Sequence, residues 1–211
     1  FTKIEGDSWE FGYNVGAAWS PNPDWTIGLT WRSGIDHTLE GDAEFVVPPN
    51  AALLTSTGPF ADTTGSAELN LPHMAELGVR WQANPQVTLY AAAQWKQWSN
   101  LEELRVDFAN PAQPDSTEEL NYEDSWRYSL GVEYRIEPQW TLRAGMALDG
   151  SPTQPDFRTA RIPDNDRQVY PVGASWTPSD DWSVDFAYNR IEIDDTEFDH
   201  VGNFSDRLTG E

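Results

Sequence analysis

Hydrophobic and polar residues alternate along several stretches of the chain with the period of two that is typical of β-strands. From Trp9 to Trp19 the odd-numbered positions are aromatic or aliphatic, whereas the even-numbered positions are mostly small or polar. Successive side chains of a strand point to opposite faces, so this segment has one apolar and one polar face. About ten residues of a tilted strand span roughly 25 Å, which is close to the apolar thickness of a membrane.

The same pattern predicts eight antiparallel strands, joined alternately by short turns and by long polar connections. The turns are rich in Pro, Asn and Asp, and the long connections lie at about 40–68, 105–125, 150–167 and 194–211. This alternation is typical of an outer-membrane β-barrel, with its turns in the periplasm and its long loops outside the cell. The predicted strands are roughly 9–20, 25–39, 69–82, 87–104, 126–136, 140–149, 168–176 and 182–193.

Six of the eleven tryptophans lie at the edges of the short turns. An amphipathic indole prefers the level of the lipid headgroups, where outer-membrane barrels carry a girdle of aromatic residues. A soluble β-sandwich, the alternative all-β fold, gives no reason for this placement. We therefore expect a membrane girdle formed by Trp19, Trp25, Trp81, Trp140, Trp176 and Trp182.

The register of one hairpin follows from aligning Ile136 with Trp140. In that register two pairs of opposite charges face each other, Glu133 with Arg143 and Arg127 with Asp149. Opposite charges across an antiparallel pair are favourable, which supports the alignment. The same reasoning predicts that Gly12 faces Arg32 and that Arg80 faces Thr88.

The predicted inward face therefore carries charged side chains, which require a wet or fully paired interior. Two interpretations remain open: the charges pair with one another to hold the wall, or single cations bind a ligand carboxylate. The predicted inward residues are Arg32, Glu76, Arg80, Lys96, Arg127, Glu133, Arg135, Arg143 and Asp185.

Composition excludes several classes of protein. No stretch approaches the ~20 apolar residues of a membrane-spanning helix, and 38% of the residues are hydrophobic. The formal net charge of -22 argues against nucleic acid as a partner, because nucleic-acid-binding proteins present basic patches. With no cysteine, the chain has no disulfide and no thiolate ligand or nucleophile.

Catalytic and metal-binding motifs are not found. The three histidines, His37, His73 and His200, lie in neither an HExxH motif nor beside a Gly-x-Ser-x-Gly elbow, and no serine is convincingly beside them. The acidic run 164–166 offers oxygen ligands that Ca²⁺ prefers, but without EF-hand spacing. We predict no enzyme activity, no catalytic residue, no metal site and no cofactor.

Several motifs occur in the order in which they occur in one known family. They are Gly6–Asn14, Leu69–Pro72, Gln97–Ser99, Trp140–Asp149 and Ile162–Arg167, followed by Trp182–Asp185. With these motifs the chain resembles the FadL family, the outer-membrane transporters of long-chain fatty acids, which has importers of toluene and xylene as relatives.

The resemblance implies a 14-stranded barrel with an N-terminal hatch. This chain matches roughly the sixth to the thirteenth strand, so we expect residues 1–211 to form one partial β-barrel domain without the hatch, the early strands or the final strand. The expected location is the outer membrane of a Gram-negative bacterium. The expected partners are a hydrophobic small molecule or fatty acid, the membrane lipid and lipopolysaccharide, and the barrel is expected to be monomeric.

The resemblance also implies a function, namely passive uptake of long-chain fatty acids or other hydrophobic molecules. The ligand is captured by extracellular loops and passes through the barrel. The expected contacts of an apolar tail are Trp98, Phe108, Phe157, Phe45, Leu53 and Leu54. The expected cations for a carboxylate head are Arg80, Lys96, Arg127 and Arg143.

Two alternatives of different classes remain. A general porin would have an open, water-filled interior and a large ion conductance. A structural or adhesive surface barrel would bind a partner through its loops, and deletion of residues 40–68 would leave ligand uptake intact.

Overall fold

The computed structural model describes residues 2–45, 55, 58, 60–158, 162–196, 198–201 and 207–210. In these residues the secondary structure consists mainly of antiparallel β-strands. The strands are β1 (Thr2–Asp7), β2 (Asn14–Asn22), β3 (Trp25–Arg32), β4 (Ile35–Phe45), β5 (Thr63–Leu71), β6 (Met74–Gln82), β7 (Val87–Lys96), β8 (Glu103–Phe108), β9 (Ser116–Glu119), β10 (Ser125–Glu137), β11 (Trp140–Asp149), β12 (Arg167–Ser179), β13 (Trp182–Ile193), β14 (Phe198–Val201) and β15 (Arg207–Gly210). A 3-10 turn spans Trp98–Asn100.

Eight strands form the main sheet, in the order β13-β12-β11-β10-β7-β6-β3-β2. Four hairpins with short turns build it, namely β2–β3, β6–β7, β10–β11 and β12–β13, and long connections join one hairpin to the next. The predicted all-β, antiparallel architecture with alternating short turns and long loops is confirmed. Among the described residues, no helix is long and apolar enough to cross a membrane.

The strand register confirms the two predicted charge pairs, Glu133 with Arg143 and Arg127 with Asp149. The alignment at the turn differs, because the register shifts between Arg135 and Glu137 and Trp140 pairs with Glu137.

Two other predicted pairs are wrong by two residues. Arg32 pairs with Asn14 rather than Gly12, and Arg80 pairs with Tyr90 rather than Thr88. In the first hairpin the register shifts between Trp19 and Asn22, which displaces the two strands relative to a regular turn. A displacement of two residues keeps each side chain on the same face of the sheet, so the predicted inward set is unaffected.

Four predicted strands are too long. β1 ends at Asp7 and β2 begins only at Asn14, and the ladder also breaks at residues 33–34, 72–73 and 97–102. Proline at 72 has no N–H to donate to a neighbouring strand. At these breaks side chains take the place of the backbone partners of a strand ladder. For example, the Gly34 N–H donates to His73 Nδ1 over 2.8 Å.

A second sheet, with the order β1-β4-β5-β8-β9, occupies much of what was predicted as long loops. The prediction of loops at 40–68 and 105–125 is wrong for β4, β5, β8 and β9. Their alternation gives this sheet an apolar face, which includes Leu39, Ala43 and Phe45, and an acidic face, which includes Asp42 and Glu44. Because β4 directly follows β3 and β5 directly precedes β6, the second sheet continues from the long-loop end of the main sheet. The long loops of outer-membrane barrels are extracellular, so we call it the extracellular sheet.

The two faces of the main sheet have opposite character. Cross-strand partners share a face, and the face that carries Leu29, Leu130 and Phe186 leaves these side chains 56%, 60% and 65% exposed. We call it the outer face, and the face with the charged residues the inner face. Large hydrophobic side chains exposed across a whole sheet are not tolerated in water, whereas they suit contact with lipid.

Candidate functional site

A groove of about 590 Å³ crosses the inner face at mid-height of the strands. Residues of seven consecutive strands of the sheet, from β3 to β13, line it, so the inner face is concave. Most of the inner-face residues along it have little or no side chain. They are Gly28, Gly78, Ala92, Ser129, Gly131, Gly145, Gly173 and Ala187.

The glycines form the groove because they recur at paired positions. Gly28 pairs with Gly78, and Gly131 pairs with Gly145. A Cβ built on Gly28 or Gly78 would have nothing within 4 Å, so the space above these residues is open. Alternation and charge pairing do not predict this site, although the sequence carries a signal for it as glycines at inward positions of several strands.

Arg80 is the predicted head-group cation that lies in the groove without an acidic partner. Its Nη2 donates to the amide oxygen of Gln82, 3.0 Å away, and no described carboxylate forms an ion pair with it. A guanidinium held only by a neutral amide keeps most of its capacity to bind a carboxylate.

Arg143 also lines the groove, but an acidic residue of the neighbouring strand neutralises its charge. Its Nε donates to Glu133 Oε2 over 2.9 Å, and its Nη1 donates to Ser175 Oγ. The Ser175 hydroxyl in turn donates to Asp185. The chain of four side chains links β10, β11, β12 and β13, which fits a structural role.

Lys96 and Arg127 share a single carboxylate outside the groove. Asp149 Oδ1 lies 3.6 Å from Lys96 Nζ, and Asp149 Oδ2 lies 3.2 Å from Arg127 Nη1. These two predicted ligand cations are therefore paired within the wall at the long-loop end of the sheet.

The predicted apolar contacts separate into several places. Phe45 and Phe108 lie on the extracellular sheet, with ring centroids 6.3 Å apart, and Phe60 contacts Phe45 at 6.0 Å. Trp98 packs edge-on against Tyr122, 6.1 Å away. Phe157 is half-buried in the loop before β12. Leu53 and Leu54 lie outside the described residues.

Charge is distributed unevenly between the inner face and the rest of the chain. All predicted inward residues lie on the inner face, together with Asp149 and Arg167. The eight strands thus present seven cations to the interior, namely Arg32, Arg80, Lys96, Arg127, Arg135, Arg143 and Arg167, against the acids Glu76, Glu133, Asp149 and Asp185. The whole chain, in contrast, has 35 acidic and 13 basic residues.

The six tryptophans of the expected girdle lie at the short-turn ends of their strands. Trp25 stacks on Trp81 with centroids 5.3 Å apart, and Trp140 stacks on Trp176 at 5.8 Å. Trp19 and Trp182 are 65% and 70% exposed.

Ion pairs and hydrogen bonds organise the extracellular side. Burial opposes the charge of Asp124, but hydrogen bonds from Ser99 and from the Trp95 indole outweigh it and lower the pKa of Asp124. Arg105 donates to Asp107 and Asp115, each over 2.6 Å, and its hydrogen bond lowers the pKa of Asp115. Asp164, weighed above as a Ca²⁺ ligand, instead pairs with Arg167 and accepts from Ser151.

One observation corrects the sequence analysis of the histidines. Ser8 Oγ lies 2.8 Å from His37 Nδ1, so a serine does stand beside this histidine. No described carboxylate orients the other ring nitrogen, and the pair lacks the third member that nucleophilic catalysis by serine uses.

Comparisons with known proteins agree with this architecture. Residues 1–211 match the model of the family described as "Outer membrane protein transport protein (OMPP1/FadL/TodX)". The chain is 33% identical over 193 residues to a long-chain fatty acid transport protein of Escherichia coli O6:H1, covering 86% of this chain and 42% of the relative. It is 29% identical to outer membrane protein P1 of Haemophilus influenzae, covering 94% of this chain and 41% of that protein.

Solved structures show the same fold. The crystal structure of a Pseudomonas aeruginosa FadL homologue superposes with a TM-score of 0.82 at 27% identity, covering 94% of this chain and 48% of that chain. The Pseudomonas putida toluene transporter TodX gives a TM-score of 0.56 at 16% identity, covering 85% of this chain and 43% of that chain. The chain spans less than half the length of these relatives, and its main sheet is part of a larger outer-membrane β-barrel. This chain belongs to the OMPP1/FadL/TodX family of outer-membrane transport proteins.

Proposed function

We propose that the protein carrying this chain takes up long-chain fatty acids passively across the outer membrane, and that the inner-face groove is part of their path. The observation that carries the proposal is the combination of a smooth groove and Arg80, a cation without an acidic partner. A fatty acid needs an apolar surface for its tail and a positive charge for its head, and the groove offers both.

The charge distribution supports an anionic amphiphile rather than a neutral aromatic compound. The acidic exterior by itself would favour a neutral ligand, because it repels carboxylates. The inner face has the opposite sign, so a carboxylate that has passed the loops gains free energy on entering. The proteins named as long-chain fatty acid transport proteins among the relatives are consistent with this choice.

Capture on the extracellular side involves the aromatic side chains of the second sheet. Phe45 contacts both Phe60 and Phe108 there, and Trp98 stands next to Tyr122 nearer the main sheet. These residues offer apolar area to a tail before the head reaches Arg80. The proposed protein acts as a monomer surrounded by membrane lipid and lipopolysaccharide, with the six tryptophans at the periplasmic headgroup level.

The test compares Arg80→Met with a matched variant, Arg32→Met. Arg32 is also an inner-face cation bonded to a neutral amide, Asn14 Oδ1 at 3.3 Å, but it does not line the groove. Binding of oleate and of methyl oleate to the purified protein is measured by calorimetry. Arg80→Met should weaken oleate binding about tenfold, the value of one charge-assisted hydrogen bond, and leave methyl oleate unchanged.

Arg32→Met should bind both compounds as the wild type does. If Arg80→Met binds oleate with unchanged affinity, Arg80 is not the head-group site.

Single-channel recording separates the transporter from a general porin, because a transporter with a filled interior passes little steady current and a porin passes a large one.

A further inference from the structure

A second groove, of about 380 Å³, lies on the opposite, outer face of the main sheet. Its floor is formed by Ala91 and Ala93, two successive outward positions of β7. The strands on both sides carry larger side chains there. The groove residues form two rows across strands β6, β7, β10 and β11, namely Leu77–Ala93–Tyr128–Leu148 and Val79–Ala91–Leu130–Met146.

Along β7 a larger residue follows the alanine floor on each side. The next outward residue towards the long loops is Trp95, and the next towards the short turns is Leu89. Adjacent strands lie about 4.8 Å apart, so the walls formed by β6 and β10 stand roughly 10 Å apart, which leaves width for one hydrocarbon chain above the alanines.

The groove lies in the half of the wall nearer the long loops. Three aromatic side chains lie at that end, and we call them the aromatic shelf: Trp95, Trp126 and Tyr128. Trp126 stacks on Tyr128 with centroids 5.9 Å apart and an interplanar angle of 4°. The Trp95 indole N–H donates to Asp124 over 2.9 Å, which fixes this ring. Indoles mark the headgroup level, and the long loops mark the extracellular side, so the groove faces the outer leaflet.

We propose that this groove is a binding site for one acyl chain of an outer-leaflet lipid, which in a Gram-negative outer membrane is the lipid A portion of lipopolysaccharide. The walls are apolar and remain substantially exposed, with Leu130 at 60% and Leu148 at 48%, so a chain seated between them gains close packing contacts on both sides that disordered lipid does not offer. The site requires only that the barrel stands in the outer membrane, and it is independent of which ligand the interior carries.

Charge indicates that the acyl chain, and not the headgroup, carries the binding. Among the described residues, the charged group that is hydrogen-bonded to the shelf is the Asp124 carboxylate, whose pKa is lowered, so it is negative at neutral pH and attracts no phosphate. Binding should therefore depend on the shape of the apolar groove, and filling the groove should abolish it.

The experiment fills the groove and measures the retained lipid. The double variant Ala91→Leu/Ala93→Leu, the double variant Ala91→Val/Ala93→Val and the control Ala174→Leu are made in the full protein that carries this chain. Ala174 is an outward alanine of β12 that lies outside the groove. Each protein is extracted from outer membranes containing deep-rough lipopolysaccharide and analysed by native mass spectrometry, and folding is checked by the heat-dependent shift of the barrel on a gel.

The wild type and Ala174→Leu should retain one lipopolysaccharide. The double leucine variant adds three carbon atoms at each of the two positions and should retain about tenfold less, because the chain loses its packing contacts with the alanine floor, and the double valine variant should lie between. Valine suits a strand, so this variant should keep the folded gel shift.

Three results would overturn the proposal. The first is that the folded double leucine variant and the wild type retain equal amounts of lipopolysaccharide. The second is that the lipid retained by the wild type is phospholipid. The third is that the wild type is a dimer and the double leucine variant is a monomer, in which case the groove receives a second copy of the protein.

Discussion

At the residue scale, the charged side chains of the inner face divide into those that hold the wall and those that remain available. Arg143 contacts Glu133 and Ser175, and the serine hydroxyl donates to Asp185, so one guanidinium organises acids from two other strands. In the part of the chain that the structure describes, Arg80 has only the Gln82 amide as a side-chain partner. Residues of the same type on the same face thus have different roles, which are set by their neighbours.

Removal of the Arg143 guanidinium should destabilise the barrel. In Arg143→Met the Glu133 carboxylate loses its cation and the Ser175 hydroxyl, which donates to Asp185, loses its contact with the guanidinium, so we expect a loss of about 1–3 kcal/mol in the free energy of unfolding. The side chain is 47% exposed, and solvent screening favours the lower part of this range. Urea unfolding in lipid vesicles measures the loss, and Arg32→Met serves as the control. Equal midpoints for the two variants would contradict the structural role of Arg143.

The Arg105–Asp115 pair predicts a response of the extracellular sheet to acid. The hydrogen bond from Arg105 lowers the pKa of Asp115 in the folded state, so the pair is fully formed above the ordinary pKa of an aspartate. Its contribution is lost as the pH falls through the lowered value. We therefore expect amide exchange in β8 and β9 to accelerate, relative to the main sheet, only at pH values below the ordinary aspartate range.

Hydrogen exchange followed by mass spectrometry at several pH values measures this response. In Arg105→Gln the protection of β8 and β9 should no longer change in that acidic range. An acceleration that begins near neutral pH would show that other groups control the hairpin.

The sequence predicted the charge pairs of the wall but not the groove. Glu133 and Arg143 could be paired because their spacing from the turn and their opposite charges agree. The Gly131–Gly145 pair follows from that same register, but the row through Gly28, Gly78 and Ala92 crosses the β6–β7 hairpin, where a register wrong by two residues misaligns it. Whether a cation is free also depends on its neighbours in space, which the pattern alone does not give.

At the element scale, β12 contains a proline in the middle of a central strand. The ladder between β11 and β12 pairs Ala144 with Val172 and resumes at Ala147 with Val169, skipping the positions of Gly145 and Met146. Proline at 171 has no N–H for this ladder. A Cβ on Gly145 would lie 3.3 Å from the Pro171 Cγ and 2.8 Å from the Leu130 oxygen, so a glycine is required beside the ring.

This interruption should make the seam between β11 and β12 locally weak. On β11 the amides of even-numbered residues such as Met146 face β10, and those of odd-numbered residues such as Gly145 face β12. One absent hydrogen bond is worth about 1 kcal/mol, so we expect the Gly145 amide to exchange about fivefold faster than that of Met146. Pro171→Val restores a donor towards Gly145 and should slow the exchange of the Gly145 amide, with the Met146 amide unchanged. Equal protection of both amides in the wild type would mean that other bonds compensate for the proline.

The elements themselves were predictable to different degrees. The eight wall strands follow from alternation and from turns rich in Pro, Asn and Asp. The extracellular sheet was missed although Ile35–Phe45 alternates as strictly as the wall does, because the acidic residues of this segment suggested a solvated loop. The breaks at residues 33–34 and 72–73 depend on side chains, such as His73, that replace backbone partners and have no periodic signature.

At the scale of the whole molecule, the chain separates its charges by location. Seven of its 13 basic residues but only four of its 35 acidic residues point to the interior of the main sheet. A carboxylate ligand therefore approaches a surface of its own sign and then meets an interior of the opposite sign. The exterior lowers the rate of capture, and the interior favours the bound state.

This separation predicts how uptake depends on salt. The Debye length falls from about 30 Å at 0.01 M to about 10 Å at 0.1 M, so added salt screens the long-range repulsion of the exterior more than the short contacts of the interior. The initial rate of oleate uptake into vesicles containing the protein should therefore rise severalfold between about 10 and 150 mM salt.

Methyl oleate has no charge, and its uptake rate should remain constant over the same range. Replacing acids of the extracellular sheet, as in Asp42→Asn/Glu44→Gln, should raise the oleate rate at low salt and flatten its salt dependence, with no effect on the ester. An oleate rate that falls with added salt would mean that attraction by the inner-face cations, such as Arg80, already controls the capture step from outside.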